Sequence, residues 1–255
     1  MSAEFPAAVE KAAAAAAANP RLPELDLTDL PFVTIDPESA MDLDRAMYLE
    51  RSGDGFVVHY AIADLAAFIT PGDAIDVEAN RRGETLYGAD SKIPLHPKVI
   101  SEDAGSLLPD PVRPALVWKI RVDSTGEGTE ITVERAPVKS RAKLSYAAVQ
   151  ADLDAGTADE MFTILRELGE LRLAREAARG GVSLPLPEQE IVDEDGTRHL
   201  EFRQMLPVEN WNAQISLLTG FGAASLMVYA RVGLLRTLPP ADPATYSGCT
   251  APHGR

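Results

Sequence analysis

Two short runs are crowded with β-branched and aromatic residues, Pro31–Ile35 (PFVTI) and Phe56–Ala63 (FVVHYAIA), and both predict strands. Ala115–Asp123 and Glu130–Ala136 flank a Gly-Glu-Gly turn at 126–128, the pattern of a hairpin. Asp76–Gly83 predicts a short helix stopped by its glycine. Apolar spacing of three and four residues over 145–154 and 158–179 predicts two more, with Leu165, Leu168, Leu171 and Leu173 on or near one face. Gly180-Gly181 ends that run. Strands are expected at 189–193 and 199–205, joined across Asp195-Gly196, and 208–236 reads as one long, mostly buried helix. Between 88 and 114, Pro94, Pro97, Pro109, Pro111 and Pro114 predict mostly loop. Residues 1–23 predict an alanine-rich helix ended by Asn19-Pro20, with a linker up to Asp29. Strands and helices come in runs rather than in strict alternation, so the expected class is α+β.

Composition narrows this further. Of 255 residues, 45% are hydrophobic and 25% charged, enough to bury a core and to exclude a disordered, collagen-like or coiled-coil chain. A lone cysteine, Cys249, excludes an internal disulfide and hence an exported disulfide scaffold. The opening residues lack the basic and apolar pattern of a secretory leader. The longest mostly apolar stretch, Leu217–Ala230, is too short to span a bilayer, so no membrane partner is expected and the cytoplasm is the expected location. The net charge of −15 argues against a polyanion partner, but its distribution is uneven. Residues 24–78 hold 13 acids against 2 bases, whereas 79–150 hold 9 against 11. Such blocks suit a metal site beside a polyanion channel, and equally suit solvated faces.

The chemistry concentrates in Thr34-Ile-Asp36-Pro-Glu-Ser-Ala-Met-Asp42-Leu-Asp44-Arg45-Ala46, where a strand ends in an aspartate and two more follow at i and i+2. At about 5 Å and an effective dielectric near 20, each carboxylate pair costs roughly 3 kcal/mol. A shared cation would relieve that cost, and an all-oxygen donor set suits Mg²⁺ or Mn²⁺. Splayed surface acids and Asx-turns account for the same spacing without a metal. A calcium EF-hand does not fit, because no glycine and no closing glutamate stand at the required positions. His59, His96, His199 and His253 show no paired ligand spacing for zinc. GFGAAS at 220–225 has no preceding strand and is expected to pack helix against helix, so no dinucleotide cofactor is expected.

LPFVTIDPESAMDLDRAM resembles the signature that opens the RNB catalytic domain of the ribonuclease II/R family. The segment from VVHYAIADLAAF through SLLPDPVRPAL follows the same family pattern, as do SRAKLSYAAV at 140–149, GVSLPLPE at 181–188 and the helix beginning near Val208-Glu209. Coverage runs from about residue 24 to 236. The resemblance implies an RNB-type mixed sheet with packed helices. It also implies 3′→5′ hydrolysis of single-stranded RNA to nucleoside 5′-monophosphates with Mg²⁺, with Mn²⁺ as a substitute. Carried over by position, Asp36, Asp42 and Asp44 fall on metal-site aspartates, Asp44 on the position expected to be least replaceable, and Tyr87 on a base-stacking tyrosine.

Arg45 stands where the family usually has a fourth aspartate, either as a phosphate-binding fork or as the loss of part of the site. Leu184 stands where many members carry a stacking aromatic. The run Arg135, Lys139, Arg141 and Lys143, with Arg81, Arg82, Lys92 and Lys98, is expected to line an RNA channel, with Arg82 binding RNA and Arg141 and Lys143 contacting its backbone. Glu209 is expected either to face that channel or simply to favour a helix start. The expected organisation is an N-terminal extension over 1–23 and an RNB domain over 24–255, C-terminally incomplete and without cold-shock or S1 domains. Two alternatives stand beside the nuclease: an impaired RNB fragment that binds RNA or protein without turnover, and a metal-binding fold with no nucleic-acid role.

Overall fold

The computed structural model of the chain describes residues 2–88, 91–181, 187–194 and 197–235. Leu184 and the Asp195-Gly196 turn lie outside the described residues. The chain divides into two units, residues 1–219 and 220–255.

Five strands of the first unit form a closed barrel: β1 (Phe32–Asp36), β2 (Arg45–Ser52), β3 (Gly55–Ala63), and the long β-hairpin of Val112–Val122 and Gly128–Ser145. Counting the two-residue strands Leu86–Tyr87 (β4) and Lys92–Ile93 (β5), which pair with each other, the long hairpin strands are β6 and β7. All barrel neighbours are antiparallel except β1 and β7, whose parallel pairing closes the ring and sets Asp36 opposite Ser145. The sheet is therefore mixed, and with five helices around it the architecture is α+β.

Alternation along the strands sorts the barrel residues into two clusters. Met47, Leu49, Phe56, Val58, Tyr60, Ile120 and Val122 pack with helices α3 (Tyr146–Ala155), α4 (Glu160–Ala178) and the first half of α5 (Pro207–Ala230). The intervening positions, Ala46, Ala61, Ala115, Ala136, Val117 and Val138, gather with Phe32 and Leu107. In the β6–β7 turn, Asp123 Oδ1 accepts from the amides of Thr125 and Glu127, and Gly126 takes φ +80°. A Cβ at Gly126 would lie 2.9 Å from Leu171 Cβ.

A third cluster holds the N-terminal helix α1 (Ala7–Ala18). Its Ala13 packs with Ala67, Phe68, Ile75 of α2 (Ala74–Arg82), and Ile100 and Ala104 of the π-helical turn Val99–Ala104.

Two sequence expectations change. The last helix ends at Ala230, and its buried large apolar side chains, Val208, Trp211, Ile215 and Leu218, all lie in its first half; Phe221, Val228 and Tyr229 are exposed. At 24 residues this helix is long and apolar enough to cross a membrane by length and composition, contrary to the sequence expectation. Its buried half belongs to the core, however, and the rest of the helix rises only about 16 Å, short of the ~30 Å hydrocarbon layer. Within GFGAAS, Gly220 faces open space, whereas Gly222 is buried. The close approach belongs to Gly169 of α4, where a Cβ would lie 2.4 Å from Trp211 Cβ.

Candidate active site

The acidic loop is placed by tertiary ties. Leu43 is fully buried, whereas its neighbours Asp42 and Asp44 reach the surface and line the same cleft. Ser106, buried on the segment after the π-helical turn, accepts from Leu43 N–H at 2.9 Å and donates to Met41 O at 2.7 Å. Leu107 N–H donates to Leu43 O at 2.8 Å, and Ala63 N–H donates to Asp44 O at 2.9 Å. Four bonds thus fix a polar loop that has no regular structure of its own.

Asp36, at the end of β1, is half-buried, and its pKa is raised to about 6. Burial is the largest cause. Asp44 and Asp42 add repulsion, which Arg45 and Lys143 partly offset. The three carboxylates therefore feel one another, and as hard oxygen donors they fit Mg²⁺ or Mn²⁺. They do not converge as the sequence spacing suggested. Among the described residues no group of three His, Cys, Asp or Glu side chains stands close enough to hold a metal ion. The chain's own cations satisfy two of them instead: Arg45 Nε donates to Asp44 Oδ1 at 2.9 Å, and Lys92 Nζ to Asp42 Oδ2 at 3.1 Å. Lys92 also reaches Glu102 at 3.0 Å.

Asp42 and Asp44 line a cleft of about 320 Å³ together with Thr85, Lys92, Leu95 and His96. Burial lowers the His96 pKa, so the imidazole is neutral at neutral pH. On the other side of Arg45, a tight recess is lined by Asp36, Tyr60, Tyr146 and Asn212, and Asn212 Nδ2 donates to the Tyr146 hydroxyl at 3.0 Å.

The remaining candidates divide. Tyr87 is 75% exposed on β4 and pairs across the small hairpin with Lys92, which leaves its ring free for stacking near Asp42. Lys143 Nζ donates to Glu38 O at 2.8 Å, within the acidic loop itself. Arg141 donates to Thr28 O and lines a different cavity, of about 460 Å³, beside Tyr48 and Phe162.

Arg82 is a correction. Its side chain is fully buried and its guanidinium serves Glu78, Pro94 O and Glu4 O, so it is not presented to a ligand. For Glu209 the helix-start alternative fits and the channel-facing one is the correction: it accepts from Leu206 N–H at 2.6 Å and from Arg203, the glutamate half of a capping box at the start of α5. The basic run does not form one open stripe either. Arg135 pairs with buried Asp64 and Lys139 approaches Asp110.

Residues 24–221 match the family model described as the RNB domain. The chain belongs to the RNB domain family. Its RNB region is 36% identical over 176 residues to a protein named Exoribonuclease 2 from Vibrio parahaemolyticus, covering 66% of this chain and 26% of that protein. The chain thus spans about a quarter of the length of such curated relatives. Among solved structures it is similar to Mycoplasma genitalium RNase R in complex with ribose-methylated single-stranded RNA, with a TM-score of 0.77, 27% identity, and 82% of this chain and 34% of that one covered. The same protein in complex with double-stranded RNA gives a TM-score of 0.81 at 26% identity, covering 91% and 43%.

The sequence reading of the RNB domain missed Ser106, Tyr60, Tyr146 and Asn212 as supports of the site. Tyr60, Ser106 and Tyr146 all lay within segments that follow the family pattern, but nothing in local spacing distinguishes a support from an ordinary core residue.

Proposed function

We propose that this RNB domain carries the hydrolytic centre of a 3′→5′ exoribonuclease acting on single-stranded RNA and releasing nucleoside 5′-monophosphates. The observation that carries the reading is the convergence of Asp42, Asp44 and Lys92 on one cleft, with Asp36 close enough to be electrostatically strained by both aspartates. Holding Mg²⁺ or Mn²⁺, which supplies Lewis-acid stabilisation of phosphoryl transfer, would require Asp36, Asp42 and Asp44 to draw together and Asp44 and Asp42 to give up Arg45 and Lys92. The protein's own groups do the rest. Lys92 and Lys143 set positive charge against the strand's phosphates, the exposed Tyr87 ring offers a sequence-tolerant stack worth about 1–3 kcal/mol per base, and neutral His96 lines the path. RNA complexes of RNase R support RNA as the ligand. A cytoplasmic location belongs to the same proposal.

A second reading, RNA binding without turnover, is favoured by one contact. The Arg45 fork clasps the carboxylate expected to be least replaceable. Hydrolysis and binding of a labelled oligoadenylate separate the two. In the nuclease reading, Asp44→Asn erases metal-dependent release of mononucleotides and leaves affinity within a few-fold of wild type. If the wild type binds without cleaving and Arg45→Asp gains cleavage, the second reading is correct for this chain.

A further inference from the structure

The outer wall of the acidic cleft has little support of its own. Lys92, Pro94, Leu95 and His96 line it, yet among the described residues the only ladder in this stretch is the two-residue pairing of β4 with β5. Leu95 N–H gains one further bond, to Thr85 Oγ1 at 3.1 Å.

Behind that wall stands Arg82. Its Nη1 donates to Pro94 O at 3.1 Å, its Nη2 to Glu4 O at 2.9 Å, and its Nε to Glu78 Oε1 at 2.8 Å. The guanidinium carbon lies 3.7 Å from the centre of the Phe5 ring, a buried cation–π contact. One side chain thus joins α2, the cleft wall and the N-terminal residues. The same N-terminal segment grips the other side of the wall. Val9 and Ala13 of α1 are buried, Ala13 against Ile100 and Ala104, whose neighbours Ser101 and Gly105 line the cleft. Arg21 then ties the end of the segment to Ala66 O and Ile69 O.

We propose that residues 4–21 are a brace for the acidic cleft, and that Arg82 is a positioning residue which, through Pro94, holds the wall presenting Lys92 and His96. The functional half of this inference rests on the reading that the cleft takes RNA; the brace itself does not.

Arg82 is suited to this in a way that lysine is not. A planar fork meets three acceptors in fixed directions while its face receives an aromatic ring, whereas an ammonium is a point charge on a flexible stem. Because Arg81 also holds Glu78, with Nη2 to Oε1 at 2.7 Å, removing the Arg82 fork leaves that buried carboxylate paired.

The test is amide hydrogen exchange on the full chain, with affinity for a fluorescent single-stranded oligoadenylate measured beside it. Phe5→Ala keeps Arg82 in place and removes only the ring. Exchange over residues 92–98 should rise about tenfold while β3 stays unchanged, RNA affinity should fall in parallel, and Phe5→Trp should restore both. Arg82→Lys should reproduce the loss without rescue. Unchanged exchange over 92–98 in Phe5→Ala overturns the brace whatever RNA does. Faster exchange with unchanged RNA affinity overturns Arg82 as a positioning residue. A wild type that binds no RNA defeats the functional reading, and the exchange data still decide the brace.

Discussion

Asp36 shows what a site costs at the scale of one residue. Burial, with Asp44 next, lifts its pKa from the usual carboxylate range to about 6. A carboxyl whose pKa is higher folded than unfolded stabilises the native state only when protonated. That contribution is complete below about pH 4 and lost as pH rises through about 6. At neutral pH the wild type therefore bears the charge at a loss, and Asp36→Asn should stabilise the fold by about 1–3 kcal/mol above pH 7. Thermal melts across pH 4–8 would show the gain shrink towards zero at the acid end. A gain independent of pH would contradict the electrostatic cause. The identity of this residue was legible from the sequence, as were Asp42 and Asp44, because three aspartates within nine positions are conspicuous. Their partners were harder to read. Lys92 lies 50 positions from Asp42, and nothing local marks it as the cation that meets that carboxylate.

Among the elements, the expected strands at 31–35 and 56–63 and the hairpin across 126–128 all appear, since β-branched runs and a turn glycine act locally. Closure of the barrel by parallel pairing of β1 with β7 was not legible, because register between segments more than 100 residues apart leaves no periodic trace. Two interior helix glycines, Gly169 and Gly220, illustrate the same limit. Alanine gains about 1 kcal/mol over glycine within a helix. At Gly220, where a Cβ meets open space, substitution by alanine should keep that gain. At Gly169 the Cβ would meet Trp211, and overpacking of about 1–3 kcal/mol outweighs propensity. Denaturant titration of the two variants should move their midpoints in opposite directions. Ser106 is the corresponding test of the acidic loop. Ser106→Ala leaves Leu43 N–H and Met41 O without their partner and should cost about 1–3 kcal/mol, read as a fall in Tm of about 2–8 °C. A Tm unchanged from wild type would show that the loop holds its place without that tie.

For the molecule as a whole, a net charge of −15 and a polyanionic ligand pull in opposite directions. Local charge reconciles the two. Arg45, Lys92 and Lys143 cluster at the acidic loop, while Arg82 and Arg135 are spent on internal contacts. With three cations near the loop to meet phosphates, the dependence of RNA affinity on salt should be shallow, a slope of about −2 in log–log form at about 0.7 per phosphate contact. A steep slope would require a basic surface elsewhere. The measurement that decides the central claim is incubation of a 5′-labelled single-stranded RNA with the wild type and Asp44→Asn, each with and without Mg²⁺ or Mn²⁺. The account predicts a metal-dependent ladder that shortens from the 3′ end and vanishes in Asp44→Asn. RNA left intact by a folded wild type with metal present would contradict it.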